Sequence, residues 1–284
     1  MTDSMRAPTG LSRRSRRLSD HETELRMLRA AMDMVHGGGL TVSLDHISFE
    51  DVIRDADVSR SAVYRRWPYK DLFFSDLVKE LAKDATPTMV RDELALMRSV
   101  VTEHLDWLDT PELRHSLVVE LCRQLALLDF QMMYGSPAWR TYIALHATFM
   151  SLADGELRDQ VQLALSQSER ERTTLVASAW QQLAALFGYR MRPELGAGFE
   201  TLATLLSATM RGLVIMSLSE PSLALDRALG RPFGADETGE WSLAALGVVS
   251  IATSFLEPDA SIDWDDERLA RVRSELRQWE LPQD

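Results

Sequence analysis

The pattern that most restricts the fold of this chain lies in residues 48–67, where apolar side chains recur at helical spacing on both sides of a single interruption. The first group occupies positions i, i+3, i+4 and i+7 of one helix face: Phe49, Val52, Ile53 and Ala56. Asp57 interrupts the pattern, and a second short helix is expected to run to about Trp67, ahead of Pro68. Two short helices separated by a tight turn predict a helix-turn-helix.

Three serines are placed to begin helices in this part of the chain. Ser19 has Glu22 three residues after it, the pattern of a capping box, and Ser48 and Ser59 are N-cap candidates for the two short helices. The first helix is expected to end at the glycines 37–39. A fourth helix is expected from Lys70 to about residue 85.

The rest of the sequence predicts helices and no convincing strand. The expected helices span about 88–108, 112–134, 138–152, 156–187, 194–218, 240–256 and 264–279, separated by prolines, glycines or the stretch 230–239. We therefore expect an all-α fold. Its expected organisation is a basic arm at 1–18, a helix-turn-helix domain at 19–85 and a larger helical domain at 86–284.

Charge is distributed unevenly along the chain. The net formal charge is -12, yet residues 1–83 hold 14 lysines and arginines against 13 acidic residues, and all of the excess acid lies further on. The segment from Asp57 to Lys70 alone carries a formal charge of +3. An acidic protein surface repels nucleic acid, so any contact with DNA is expected in the N-terminal third.

Bulk features argue against several other classes of protein. The single cysteine, Cys122, excludes an intrachain disulfide and a cysteine-based zinc site. The longest uncharged apolar stretch, Trp241 to Leu256, has 16 residues, fewer than the roughly 20 that a membrane-spanning helix needs. No apolar segment follows the arginine-rich N-terminus, which argues against a secretory signal. We expect a cytoplasmic protein with no membrane partner, no catalytic residues, no metal and no cofactor.

The second short helix is expected to bury one face and expose the other. Val63 and Trp67 lie four residues apart and share a face that should pack against the preceding helix. On the opposite face Arg65 is placed to read a guanine edge in the major groove. Residues expected at the DNA surface, as base readers or phosphate contacts, are Ser48, Ser59, Arg60, Ser61, Ala62, Tyr64, Arg65, Arg66 and Lys70. The pattern alone is also that of an ordinary solvated basic helix.

Residues 19–83 resemble the DNA-binding domain of the TetR family of bacterial transcriptional regulators. The recognition segment of that family reads Ser-Lys-Gly-Thr-Leu-Tyr-Tyr-His-Phe and is followed by Pro-Ser-Lys-Glu. The outright matches are Ser59, Tyr64, Pro68 and Lys70, and the matches in character are Arg60, Val63, Trp67 and Asp71. The resemblance implies that Tyr64 and Lys70 contact phosphates and that the residues at 60, 61, 62 and 65 read bases.

Three features depart from the family pattern. Asp57 stands where the turn usually has glycine, and aspartate is one of the few other residues that tolerate a positive φ. Tyr69 replaces a serine that would cap the fourth helix, and the loop between the first two helices is longer than usual. The arginine-rich arm, residues 1–18, fits either a minor-groove contact or an unstructured tail that adds only non-specific affinity.

The C-terminal region offers a dimer interface and an effector pocket, as the resemblance implies. Small residues in 194–218 permit close helix approach, so this helix and 240–256 are expected either to pair with their copies in a homodimer or to form the monomer core. Aromatic residues and a methionine are candidates for binding a mainly apolar effector: Trp107, Phe130, Met133, Trp139, Tyr142, Phe149 and Trp180. Aromatic residues and methionines at this density more often form a plain core than a pocket wall.

The sequence therefore predicts a ligand-responsive transcriptional regulator, most simply a homodimeric repressor that binds a palindromic operator on double-stranded DNA and is released by a small molecule. An activator or a ligand-blind regulator is the alternative within this class. A helical small-molecule-binding or interaction protein with a vestigial DNA-binding motif is the alternative from another class.

Overall fold

The computed structural model describes residues 18–38, 47–83 and 90–278. The predicted arm lies outside these ranges except for Leu18, and so does the predicted domain boundary at residue 85. The N-terminal unit contains four helices: α1 (Asp20–Gly38), α2 (Phe49–Asp55), α3 (Arg60–Arg66) and α4 (Lys70–Lys83). The helix-turn-helix is thus formed by α2 and α3.

The three predicted N-caps are confirmed by side-chain to backbone hydrogen bonds. The Ser19 Oγ accepts from the amide of Glu22 at 3.1 Å. The Ser48 Oγ accepts from the amide of Asp51, and the Ser59 Oγ accepts from that of Ala62, both at 3.3 Å. Each hydroxyl satisfies one amide that the first turn of its helix leaves without a partner.

The turn between α2 and α3 has the left-handed backbone expected at Asp57. Its φ is 50°, and the only other described residue besides glycine with a positive φ is Phe233. The side chain of Asp57 is exposed, so packing does not hold it there. The family's usual glycine would adopt this conformation without the steric cost that a Cβ brings.

The remainder of the described chain is a helical bundle, and the fold is all-α as predicted. Its helices are α5 (Val90–Glu103), α6 (Pro111–Gly135), α7 (Pro137–Ser151), α8 (Glu156–Leu186), α9 (Phe199–Ser219), α10 (Ser222–Leu225), α11 (Leu243–Phe255) and α12 (Asp266–Gln278). Short 3-10 turns lie at 105–108, 193–195 and 232–234. Proline begins both α6 and α7, where the missing amide hydrogen costs nothing.

The expectation that the chain has no strands was wrong in detail. Two antiparallel pairs of short strands lie in the segments that connect the helices of the bundle: β1 (Tyr189–Met191) with β4 (Leu256–Pro258), and β2 (Arg227–Gly230) with β3 (Gly239–Ser242). Each strand has three or four residues, too few for an alternating pattern to show in the sequence. The predicted helix at 240–256 accordingly begins later, at Leu243, because β3 occupies its first residues.

A large hydrophobic core runs from the N-terminal helices into the bundle. Met27 of α1, Val52 of α2, Val63 of α3 and Leu77 of α4 are fully buried in it, together with residues of α6 to α9 and α11. In this arrangement α4 packs against α7 and α8, and α1 packs against α7. A second core cluster lies between α5, α6 and α12 and contains Trp107.

By length and composition alone, helix α9 could span a membrane, and it is the only helix among the described residues that meets this criterion. It packs against α8, α11 and α6. Arg211 lies in the middle of the helix and forms a salt bridge at 2.7 Å with Glu169 of α8. The side of α9 that faces away from the core exposes apolar side chains, including Leu205, Ile215 and Met216.

Candidate nucleic-acid interface

The predicted DNA-contact residues lie together at the beginning of α2, along α3 and at the beginning of α4. Eight of them are exposed: Ser48, Ser59, Arg60, Ser61, Tyr64, Arg65, Arg66 and Lys70. Ala62, the ninth, is half-buried. The structure thus places all nine in one small region, with the N-terminal ends of α2 and α3 both capped by serine.

Two buried side chains hold α3 in place. Val63 and Trp67 have no exposed surface, and the Trp67 ring meets Phe73 of α4 edge-on, with 5.1 Å between centroids. The Trp67 Nε1 donates to the Asp76 Oδ2 at 2.9 Å. α3 has only seven residues, too few to be a stable helix by itself, so these contacts fix the direction of its exposed side.

Asp76 is the polar partner of this anchor. Burial by itself would raise its pKa, but hydrogen bonds from Lys79 and Trp67 and the charges of Lys79 and Arg66 outweigh burial, so the pKa lies below its ordinary value. The carboxylate is therefore ionised at neutral pH, and it joins α3 to α4 by a hydrogen bond and a salt bridge. Sequence reasoning missed this residue.

Every arginine of α3 is paired with a carboxylate. The Arg60 Nη2 lies 2.7 Å from the Glu50 Oε2, and the Tyr64 hydroxyl donates to the other oxygen of Glu50 at 3.0 Å. Arg65 is paired with Asp20 at the beginning of α1.

Arg66 completes the set, with Glu24 of α1 at 3.0 Å and Asp76 at 3.2 Å. The basic segment is thus locally neutralised, which its sequence does not show. A phosphate or a base edge would have to compete with these carboxylates. The exposed pairs of Arg60 and Arg65 contribute only about 0–1 kcal/mol, so such an exchange is inexpensive at these two residues.

Lys70 differs from these arginines. It is exposed at the first residue of α4, and it has no acidic partner within 4 Å among residues 18–38, 47–83 and 90–278. Tyr69 beside it is 73% exposed, so most of its ring faces solvent. A cation with no internal partner is ready for a phosphate contact.

The predicted effector residues do not all meet. Six belong to the large core: Phe130, Met133, Trp139 and Tyr142 are buried in it, and Phe149 and Trp180 pack against it. Trp107 lies in the second core cluster instead, stacked on His104 with 4.1 Å between ring centroids. A surface groove of about 420 Å³ lies along α5, and none of the seven lines it.

Two other chemistry-bearing side chains, His115 and Cys122, are respectively hydrogen-bonded and buried within the bundle. The ring nitrogens of His115 lie 2.8 Å from the Tyr189 hydroxyl and from the Phe233 carbonyl oxygen. Burial raises the pKa of Cys122 to about 12, so its thiol stays protonated at neutral pH. The part of the chain that the structure describes contains no group of three His, Cys, Asp or Glu residues arranged to hold a metal ion.

The chain is similar to solved structures of two regulators. One is TylP, a TetR regulator from Streptomyces fradiae, with 17% identity over 92% of both chains and a TM-score of 0.38. The other is SmeT, the repressor of the Stenotrophomonas maltophilia multidrug efflux pump SmeDEF, with 17% identity over 85% of this chain and 95% of that one and a TM-score of 0.38. No family model matches the sequence, and no curated protein matches it significantly.

Replacing Asp76 by alanine is expected to lower the free energy of unfolding by about 1–3 kcal/mol at pH 7, because the buried Trp67 N–H loses its acceptor. Asp76 has a folded-state pKa below its unfolded value, so its charge stabilises the protein above about pH 4, and this contribution is lost as the pH falls through the folded pKa. The difference between wild type and Asp76→Ala should therefore shrink from pH 5 to pH 3 in urea unfolding followed by circular dichroism. Asp71→Ala, an exposed carboxylate on the same helix, should cost under about 1 kcal/mol; an equal loss from both variants would contradict the assignment.

Replacing Glu50 by glutamine is expected to tighten binding to a random-sequence 30-base-pair duplex about three- to tenfold, because one negative charge near the phosphates is worth about 1 kcal/mol. Fluorescence anisotropy at fixed low salt measures the change. Glu237→Gln, which removes one charge from the loop between β2 and β3, is the matched control and should change the affinity less than twofold. Weaker binding by Glu50→Gln would show instead that Glu50 holds Arg60 and Tyr64 in position for DNA.

Proposed function

We propose that this chain is a DNA-binding transcriptional regulator of the TetR type. One observation carries the proposal: a capped seven-residue helix, α3, is anchored by two fully buried side chains and presents its other residues to solvent. That is the arrangement by which a recognition helix enters a major groove, with serine hydroxyls and helix N-termini available to the flanking phosphates. The residues proposed to contact DNA are those that the sequence predicted.

Roles within this surface follow from exposure and partners. Arg65 is the proposed base reader, since its long side chain is about half exposed and leaves Asp20 at little cost. Lys70 and Tyr64 are the proposed phosphate contacts. The hydrogen bond to Glu50, with burial and the Glu50 charge adding to it, raises the pKa of Tyr64 above its ordinary value, so its hydroxyl remains a donor.

A homodimer is part of the proposal. On α9, the exposed or half-exposed positions Leu205, Ala208, Gly212 and Ile215 follow one another at spacings of three and four residues, which places them on one side of the helix. The two small residues, Ala208 and Gly212, lie there between the two large apolar ones, which favours close packing of two helices. A second copy is the occupant that we propose, because a helix-turn-helix protein that reads a palindrome needs two recognition helices.

Release of the protein from DNA by a small-molecule effector is the last part of the proposal. α4 follows α3 directly and packs against α7 and α8, so a ligand that shifts these helices would also shift the recognition helix. The coupling is a free energy: the effector favours a spacing of the two recognition helices that no longer fits both half-sites. A repressor that leaves a palindromic operator when the effector binds is the simplest regulator of this kind, and the cytoplasm is its expected location.

The salt dependence of DNA binding tests the proposal. The purified protein should bind a random-sequence 30-base-pair duplex with an affinity that falls steeply with salt, and Lys70→Ala should make the slope of log K against log salt shallower by about 0.9, the loss of one phosphate contact. Arg271→Ala on α12, an exposed arginine of the distant bundle, is the charge-matched control and should leave the slope unchanged. Binding without salt dependence, or equal slopes for both variants, would favour a helical small-molecule-binding or interaction protein.

A further inference from the structure

A charged cluster lies between α7, α8 and α9 and contains none of the proposed DNA-contact residues. Its members are Trp139, Tyr142 and His146 of α7, Glu169 and Arg172 of α8, and Arg211 of α9. Arg211 donates from both terminal nitrogens to the two oxygens of Glu169, each at 2.7 Å. This bidentate pair engages both Glu169 oxygens in short hydrogen bonds.

Arg172 belongs to the same cluster but has no such partner. Its side chain is only 11% exposed, and its Nη2 lies 3.6 Å from the Glu169 Oε2, beyond hydrogen-bond distance. Its guanidinium carbon lies 5.4 Å from the centroid of the Trp139 ring. The Nε and Nη2 atoms are both buried without a hydrogen-bond partner. A buried cation of this kind is costly unless an anion pairs with it.

The Nε–Nη2 edge of an arginine holds a carboxylate at three other places in this chain. Arg123 donates from these two atoms to Glu120 at 2.7 and 2.5 Å. Arg190 does the same to Glu257 at 3.0 and 2.9 Å. Arg66 repeats the arrangement with Glu24, at 3.4 and 3.0 Å. In Arg172 the same edge is turned into the protein and bonded to none of the described residues.

Three further donors of the cluster lack partners. The Trp139 Nε1, the Tyr142 hydroxyl and the Arg211 Nε are also buried without partners. The rings of Trp139 and Tyr142 lie 5.3 Å apart between centroids, and the Arg211 guanidinium carbon lies 5.0 Å from the Tyr142 centroid. Indole and guanidinium N–H groups can only donate, so a ligand that satisfies them must offer oxygen acceptors.

The charge of the cluster also favours an anion. Two guanidinium groups face one carboxylate, which leaves a formal excess of one positive charge. Burial, with the charge of Arg211 adding to it, lowers the pKa of His146, so this imidazole is neutral at pH 7 and does not alter the balance. His146 and Glu169 have about a third of their side chains exposed, so the cluster reaches the surface beside them.

We propose that this cluster is a binding site for a small organic carboxylate, held by the Nε–Nη2 edge of Arg172. The carboxylate supplies the two acceptor oxygens and the negative charge, and the ring of Trp139, 5.4 Å from the Arg172 guanidinium carbon, is the apolar surface beside it. The site lies on α7 and α8, the two helices against which α4 packs. Its role as the effector site rests on the proposed function above, whereas binding itself does not.

Calorimetry on the full chain without DNA tests the site. The probes are benzoate, phenylacetate and indole-3-acetate, each paired with its neutral amide, with inorganic phosphate as a bare anion. At least one carboxylate should bind ten or more times more tightly than its amide. Arg172→Gln should weaken the binding of that carboxylate at least tenfold. Arg172→Lys keeps the charge but lacks the two-nitrogen edge, and it should weaken the binding by a similar factor.

Arg170→Gln is the matched control, since it removes an exposed arginine two residues away on the same helix, and it should leave the affinity unchanged. Thermal melting establishes that each variant is folded. If Arg172→Gln does not fold, Arg172→Lys still tests the site. Equal binding of every carboxylate and its amide, or unchanged binding by both Arg172 variants, would overturn the proposal. Phosphate binding as tightly as the best carboxylate would overturn the assignment of an organic ligand.

The result is separable from that of the regulator proposal. Carboxylate binding that depends on Arg172 supports the site even if the protein does not bind DNA, in which case only the effector role fails. Conversely, salt-dependent DNA binding with no carboxylate binding leaves the regulator proposal intact and removes this site.

Discussion

The burial of Trp67 is the contact on which the proposed interface depends. It is the residue that caps the C-terminal end of α3, its ring packs against Phe73, and its indole N–H is satisfied by Asp76 of the next helix. Without these contacts a seven-residue helix would not keep its direction, and the exposed arginines would have no defined geometry. The apolar anchor and its single polar partner therefore decide which side chains face outward. The same contacts join α3 to α4, and through α4 to the helical bundle.

Local neutralisation is the second property of this surface. Arg60, Arg65 and Arg66 are paired with carboxylates from α1, α2 and α4. Such pairs contribute little to stability, and their carboxylates reduce attraction to DNA at a distance. We therefore expect weak non-specific affinity relative to specific binding, because a base edge can replace a carboxylate with its own hydrogen bonds. Lys70, which has no acidic partner within 4 Å among the described residues, remains available for the phosphate backbone.

What the sequence predicted was mostly local. The caps at Ser19, Ser48 and Ser59 and the left-handed Asp57 depend on residues within a few positions of one another, and the structure confirms them. The carboxylate partners were not predictable, because Arg65 meets an aspartate 45 positions away and Arg66 a glutamate 42 positions away. The cluster at Arg172 was not predictable for the same reason, because its residues come from three helices between positions 139 and 211. Two of its members, Trp139 and Tyr142, were predicted to bind an effector, but for their rings and not for their donors.

Selection of bound sequences from a random duplex library tests the central claim, that the exposed side of α3 reads DNA, most directly. Wild-type protein should enrich an inverted repeat whose half-sites are about one helical turn apart, or a multiple of it. Protein with Arg65→Ala should enrich the same repeat with preference lost at one symmetry-related base position in each half-site. A library with no enriched motif would contradict the claim that this chain reads DNA. An unchanged motif with Arg65→Ala would contradict the assignment of Arg65 as the reader.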